Sequence, residues 1–319
     1  MKTMKAVLAA KQGAVLSDVP VPRAGPGQLL VQVHNAALNR ADLGPSRLGN
    51  DEIIGMEWAG VVVDTGPDAG RFQVGDRVMC SGRHAFAEYA VAEMVRTIPM
   101  PPQLDYRKAA SLMLALQTMH DAVVTHGRVK EGDAVLIHGA ASNVGLMAAQ
   151  IARAFGARTV IGTSRDPGRR RALESHGIDL VLDSTDPSWT QKVMEHTGDR
   201  GVDVIIDQVS GKGFNDLLQV AAIMGRIVNV GRLGGANGDF DFEMHAFKRL
   251  TYTGVTFRTR SLDEIGKLTS AMFGDLGPAL ERGELTMPLD QEFTLDRAQE
   301  ALDRMAANQH FGKITLRVA

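Results

Sequence analysis

One cysteine, Cys80, is the chain's whole stock of thiols. That excludes an internal disulfide and any cysteine-rich structural zinc lobe. A basic excess is missing as well. The net charge is -2, which argues against a general nucleic-acid or membrane-surface role. No stretch approaches the length of a membrane span, and Met1-Lys-Thr-Met-Lys5 runs into a strand pattern rather than a signal-length apolar segment. A cytoplasmic protein is the expectation. Internal repeats and low-complexity segments are absent, and 319 residues are comfortable for two domains with substantial cores.

Two patterns divide what is there. From residue 4 to about 115 the chain reads as short strands punctuated by Gly and Pro: Val7–Ala9, Leu29–Val33, Gly60–Val63, a strand after Phe72–Val78, and Phe86–Val91. This suits an irregular barrel. Ala109–Val124 predicts one bridging helix. From Gly132 strands and helices alternate, as a parallel sheet requires. The strands are Ala134–Ile137, Thr159–Gly162, Leu180–Leu182, Val202–Ile206, Arg226–Val230 and Tyr252–Phe257; the helices are Leu146–Phe155, Arg169–Ser175, Gln191–Glu195 and Phe214–Val220. A helix after Ser261, an extended piece, a helix over Leu295–Asn308 and a strand over Lys313–Val318 follow, and these return to the first domain. The expected fold class is α/β. The barrel domain takes residues 1–116 and 259–319, and a doubly wound cofactor domain takes 117–258.

Ala134–Gly145 reads as strand, tight small-residue turn, helix, the first unit of a dinucleotide-binding fold. Amides at such a helix N-terminus meet a pyrophosphate when no bulky side chain intervenes. The GxGxxG fingerprint is degraded here to Ala140-x-Ser142-x-x-Gly145, so the turn alone also fits an ordinary connection. The expected cofactor contacts are Ala141, Ser142, Asn143 and Val144, with the Ser142 hydroxyl near the phosphates. At the end of the second strand an acidic residue selects NAD and basic residues accept the 2′-phosphate of NADP. Ser164 and Arg165 occupy that place, with Arg169 close behind. Asp166, followed by Pro167, has the signature of a helix N-cap, which leaves NADPH as the expected cofactor. Val230, Gly231 and Arg232, and then Phe257, Arg258 and Thr259, follow the fifth and sixth strands, where doubly wound sheets bind ligands.

Together these features resemble the medium-chain dehydrogenase/reductase superfamily. Gly55-Met-Glu-Trp-Ala-Gly-Val-Val-Val63 is similar to its GHExxGxV block, and Val74–Val78, Phe86–Tyr89 and Gly312-Lys-Ile314 follow in the family's order. Leu38-Asn-Arg-Ala-Asp-Leu43 adds a likeness to the zinc-independent quinone oxidoreductases. The resemblance implies a GroES-like, partly open barrel joined to a Rossmann domain, and hydride transfer from NADPH to quinones or α,β-unsaturated carbonyls. It places Asn39 beside nicotinamide and substrate, although a turn-capping Asn is the local alternative. Gln117 matches a segment that touches the nicotinamide, with helix packing as its alternative. A homodimer pairing the sixth-strand edges around Tyr252–Thr256 is also implied.

A catalytic zinc needs about three Cys, His or carboxylate ligands. Met56 replaces the family histidine, Asn39–Asp42 lacks the family cysteine, and Cys80 reads as a core residue, so no metal is expected. The loop Asp42–Gly49 lacks the Tyr that relatives carry, which leaves Ser46 or Arg47 as stand-ins. No nucleophile–base–acid spacing is present, in keeping with a reaction whose hard chemistry belongs to the cofactor. The alternatives to a quinone or enone reductase are an enoyl-thioester reductase and an NADPH-binding sensor with little turnover.

Overall fold

The computed structural model describes residues 2–319. The chain divides into two units. One takes the residues up to Gln117 together with Arg260–Ala319, and the other is Thr118–Thr259.

The N-terminal segment supplies β1 (Thr3–Ala10), β2 (Gly13–Pro20), β3 (Gln28–Ala37), β4 (Glu57–Thr65), β5 (Arg77–Ser81), β6 (Tyr89–Glu93) and β7 (Thr97–Pro99), then α1 (Tyr106–Ala110) and α2 (Met113–Met119). The second unit supplies β8 (Ala134–His138), α3 (Asn143–Ala154), β9 (Thr159–Thr163), α4 (Pro167–Glu174), β10 (Leu180–Leu182), α5 (Trp189–His196), β11 (Val202–Asp207), α6 (Phe214–Val220), β12 (Ala221–Asn229), α7 (Phe242–Lys248) and β13 (Thr251–Gly254). The chain ends with α8 (Leu262–Glu281), β14 (Leu289–Thr294), α9 (Ala298–Ala306) and β15 (Lys313–Arg317).

In the first unit, β1 and β2 form a hairpin, and a seven-stranded sheet runs β14-β15-β3-β4-β5-β7 with β6 pairing β3. Alternate residues of β3 and β4 bury against a core that includes Leu29, Val31, Val33, Trp58 and Val62, as the two-residue period of a strand dictates. Register matters for the chemistry that follows. β15 pairs β3 antiparallel with Thr315 opposite Ala37, and β3 pairs β4 antiparallel with Ala37 opposite Glu57. Continuing the first register past the end of β3 sets Lys313 against Asn39. The two therefore project to the same side as Ala37, beside the first residue of β4.

The second unit is one all-parallel sheet in the order β10-β9-β8-β11-β12-β13. Numbered within the unit this is 3-2-1-4-5-6, the doubly wound arrangement whose order reverses between its first and fourth strands. β8 is buried at every residue, as a strand covered on both faces must be. Below the sheet, Arg226 pairs with Asp133 at 2.9 Å, with both side chains largely buried. The α/β class and the two-part architecture expected from the sequence are both present.

Three local expectations differ. The single helix over Ala109–Val124 is instead α1, α2 and a π-helical segment, His120–His126. Asp105 caps α1 by accepting the Lys108 N–H at 2.7 Å, which starts it early, and Ser111 closes it by donating to Lys108 O at 2.6 Å. β13 stops at Gly254, so Phe257 lies in the following loop. Helix α7 is not expected from the sequence; Phe242 and Phe247 are 78% and 72% exposed, and Met244 packs partly against the core of this unit.

Candidate functional site

The turn from β8 to α3 is built from contacts that leave no room for larger residues. A Cβ on Gly145 would lie 2.6 Å from Ala140 O, a backbone clash that only glycine avoids. Ser142 is the N-cap of α3 and accepts the Gly145 N–H at 3.1 Å. Its single hydroxyl proton goes to Gln208 Oε1 at 2.5 Å or to Gly139 O at 3.0 Å. Through these contacts the Ser142 hydroxyl shapes the turn. Ala141, Asn143 and Val144 are half-buried around the helix start. On the strand side, Thr163 Oγ1 accepts the Gly139 N–H at 3.1 Å and bonds His138 Nδ1 at 2.9 Å. Burial lowers the His138 pKa from its ordinary value, against the raising effect of Asp207 and Asp216.

Sequence reasoning missed Gln208. It follows β11 at the reversal of strand order, and its N–H donates to His138 O at 3.1 Å. The side chain is buried, and its Nε2 has no hydrogen-bond partner among the described residues. A buried amide donor without a partner is costly, and its place at the carboxyl end of the sheet fits a ligand group that accepts it. No local sequence signal marks Gln208; in the structure Gly231 packs against it. A Cβ there would lie 2.5 Å from Gln208 O, so the loops after β11 and β12 pack tightly, with the N–H groups of Val230 and Gly231 both donating to Asp207 O. Arg232, Arg258 and Thr259 are exposed, and Phe257 is half-buried.

At the end of β9, Ser164 is buried and Arg165 is exposed. Asp166 caps α4, its Oδ1 accepting the Arg169 N–H at 2.8 Å. Arg170 holds the loop by donating to Ser164 O, Arg165 O and Asp183 Oδ2 at 2.8–2.9 Å. The basic run thus separates into one arginine that builds the loop and neighbours that flank it.

The first unit holds a buried ionic cluster at the β15-β3-β4 junction. Lys313 and Glu57 are both fully buried and form an ion pair. The Lys313 ammonium also donates to Asn39 Oδ1 at 2.8 Å, and Asn39 Nδ2 donates to Glu57 Oε1 at 3.0 Å. The other Glu57 oxygen accepts the Leu114 N–H at 2.9 Å. Asn39 also begins a 3-10 turn, Arg40–Leu43, but it does so with its backbone: its N–H donates to Asp42 Oδ2 at 2.7 Å and its carbonyl accepts the Asp42 N–H at 2.8 Å. The side chain is left for Lys313 and Glu57. Asp42 is fully buried, and burial raises its pKa to about 7 against the lowering effects of the Asn39 N–H and Lys313. Lys313 was not singled out in the sequence, because a strand lysine reads as surface.

Comparison with known proteins bears on both units. A family described as alcohol dehydrogenase GroES-like domain matches residues 25–102, and one described as zinc-binding dehydrogenase matches residues 143–271. The chain is 28% identical over 309 residues to a quinone oxidoreductase of Rattus norvegicus, covering 94% of this chain and 92% of that protein. The chain belongs to the medium-chain dehydrogenase/reductase superfamily. It is a quinone oxidoreductase-like member and an oxidoreductase. A phthioceranic/hydroxyphthioceranic acid synthase of Mycobacterium bovis is 31% identical over 302 residues, but this chain spans only 14% of it. A mycobacterial protein solved in complex with NADPH is 27% identical, with a TM-score of 0.87 over 99% of this chain and 100% of that one.

Within this medium-chain dehydrogenase/reductase the remaining expected site residues are placed as follows. Gln117 is buried in the first unit, where it accepts from Ser81 Oγ at 2.7 Å and donates to Thr269 Oγ1 at 2.8 Å. Both ends of its amide are engaged in holding that unit together, as helix packing would have it. Arg47 is exposed and lines a polar cleft with Lys11, Gln12 and Asp303. The residues do not fit the zinc of the family description. Glu57 is neutralised by Lys313. Cys80 is fully buried, and burial pushes its thiol up to about 12. Among the described residues no three His, Cys, Asp or Glu side chains are grouped to hold a metal.

Proposed function

We propose that this oxidoreductase is an NADPH-dependent, metal-independent reductase of quinones or α,β-unsaturated carbonyl compounds. The observation that carries the reading is the engagement of Glu57 by Lys313 and Asn39. Where a metal site would gather ligands, this chain holds a neutralised carboxylate and an oriented amide. When bound, the reduced nicotinamide supplies the hydride. The protein's part is to bind, orient and polarise. Gly145, Ser142 and the start of α3 would receive the pyrophosphate, and Gln208 Nε2 would gain the acceptor it lacks. Asn39 would donate its remaining amide hydrogen to the acceptor oxygen as negative charge develops there.

The NADPH preference is supported by Asp166, whose carboxylate is held in the α4 cap, and by Ser164, Arg165 and Arg169 around the loop. A dimer is supported by the edge strand β13, where Tyr252 is 45% exposed, and by the exposed Phe242 and Phe247 of the same unit. Light scattering that returns a monomer would remove that part. No helix among the described residues is long and apolar enough to cross a membrane.

The likeness to the acid synthase favours a second reading, an enoyl-thioester reductase. One panel tests both: simple quinones, enones and crotonyl thioesters, each with NADPH and NADH, before and after chelator treatment. The proposal expects chelator-resistant oxidation of NADPH by a quinone or enone. Turnover of thioesters alone would establish the second reading. NADPH binding without turnover of any acceptor would leave a nucleotide-binding sensor.

A further inference from the structure

The Asn39 carboxamide meets a formal charge at each end. Its oxygen accepts from the Lys313 ammonium at 2.8 Å, and its nitrogen donates to the Glu57 carboxylate at 3.0 Å. Rotating the amide by half a turn would set its NH2 against an ammonium and its oxygen against a carboxylate. Neither arrangement can form a hydrogen bond, because ammonium only donates and carboxylate only accepts. The charges are themselves fixed. Lys313 and Glu57 are buried and bonded to each other, Leu114 N–H holds the second Glu57 oxygen, and Leu38 O takes a further Lys313 contact at 3.4 Å. Asp42 anchors the Asn39 backbone from the other side. Of these four side chains only Asn39 is not buried, so the cluster reaches the surface through one amide.

We propose that Lys313 and Glu57 are positioning residues whose ion pair locks Asn39 as a hydrogen-bond donor toward the oxygen of a bound carbonyl or quinone. The nature of that acceptor rests on the reductase reading; the lock on the amide does not. Nδ2 carries two hydrogens, and Glu57 takes one. The other is offered in a fixed direction. A preorganised donor stabilises charge developing on an acceptor oxygen without having to reorient during the reaction.

Lys313→Met alone would leave the Glu57 carboxylate buried and uncompensated, which destabilises strongly. The test therefore uses the neutral pair Lys313→Met/Glu57→Gln, the single variant Asn39→Ala, and their combination in the full-length protein. The first readout needs no turnover. In NMR spectra the Asn39 side-chain amide, assigned by its loss in Asn39→Ala, should exchange with solvent slowly in the wild type. In the neutral pair, exchange should be about tenfold faster, as loss of charge-assisted hydrogen bonds implies. Equal exchange rates overturn the lock. The second readout is kcat with a quinone or enone. Asn39→Ala and the neutral pair should each lower kcat on the order of 10²-fold, with KM changed much less. The triple variant should be no slower than Asn39→Ala, because positioning residues have nothing to position once the amide is gone. A further fall in the triple variant, multiplying the two effects, overturns the proposal. If the wild type reduces none of these acceptors, the reductase reading fails and the exchange measurement alone decides the lock.

Discussion

Lys313 and Asn39, 274 positions apart in the chain, meet at 2.8 Å across the end of the β15–β3 register. The lysine is fully buried, so its charge is sustained by Glu57 and by the carbonyl oxygens of Asn39 and Leu38. Removing one partner of such a pair costs about 3–5 kcal/mol, whereas removing both can be nearly neutral. Urea unfolding should therefore show Lys313→Met destabilised by several times more than Lys313→Met/Glu57→Gln. Equal losses would mean that the pair contributes by packing alone.

Asp42 gives the first unit a pH dependence of definite sign. Its pKa is raised from 3.8 to about 7, chiefly by burial. The folded state therefore holds the proton more tightly than the unfolded chain does. Its stabilising effect is complete below about pH 4 and is lost as pH rises through about 7. Asp42→Asn mimics the protonated form. The melting temperature of the variant should match that of the wild type near pH 4, move above it as pH rises to 7, and hold a constant lead beyond. A constant difference across the whole range would show that Asp42 has an ordinary carboxyl in the folded protein.

Gly145 is held against Ala140 by backbone atoms that cannot move aside cheaply. Gly145→Ala should raise the NADPH dissociation constant by about tenfold or more, since one misplaced turn disturbs several phosphate contacts at once. Fluorescence titration reads this directly. An unchanged constant would mean that the pyrophosphate does not pass this turn.

The arginines after β9 should divide by role. Arg165→Ala and Arg169→Ala each remove a candidate partner of a 2′-phosphate, and a charge-assisted hydrogen bond is worth about 1.5–3 kcal/mol. KM for NADPH should rise by about tenfold or more while KM for NADH stays put. Arg170→Ala should instead lower stability, because Arg170 ties Ser164 O, Arg165 O and Asp183 together. Equal effects of the first two variants on both cofactors would count against NADPH selectivity at this loop.

Much of the fold is legible in local patterns. The strand at Leu180–Leu182 and the helix at Phe214–Val220 have the bounds that the sequence suggests. Asp166-Pro167 caps α4 as that pair of residues implies. These signals are short-range: period, cap and turn chemistry act over a few residues and survive any tertiary context. Two elements are missed although each has a cap, Asp105 before α1 and Asp241 before α7. α7 spans only 7 residues, too few to show a helical period, and Ala109–Val124 reads as one helix because Ser111 and Leu112, at the break between α1 and α2, are buried.

The sites divide in the same way. The small residues from Gly139 to Gly145 and the arginines after β9 follow from residue type and spacing, because each depends on its own turn; Asn39 is singled out only through the resemblance to the family. The role of the Ser142 hydroxyl, the orphaned amide of Gln208 and the engagement of Gln117 depend on partners 66 and 152 positions away in the cases of Ser142 and Gln117. The largest gap concerns Lys313. A lysine at the first position of the last strand, directly before Ile314, carries no sign of burial. Only the pairing of β15 with β3, and of β3 with β4, brings its ammonium to Glu57 across 256 positions. Sequence determined which residues could form strands; strand register, a property of the folded sheet, decided which charge would face which amide.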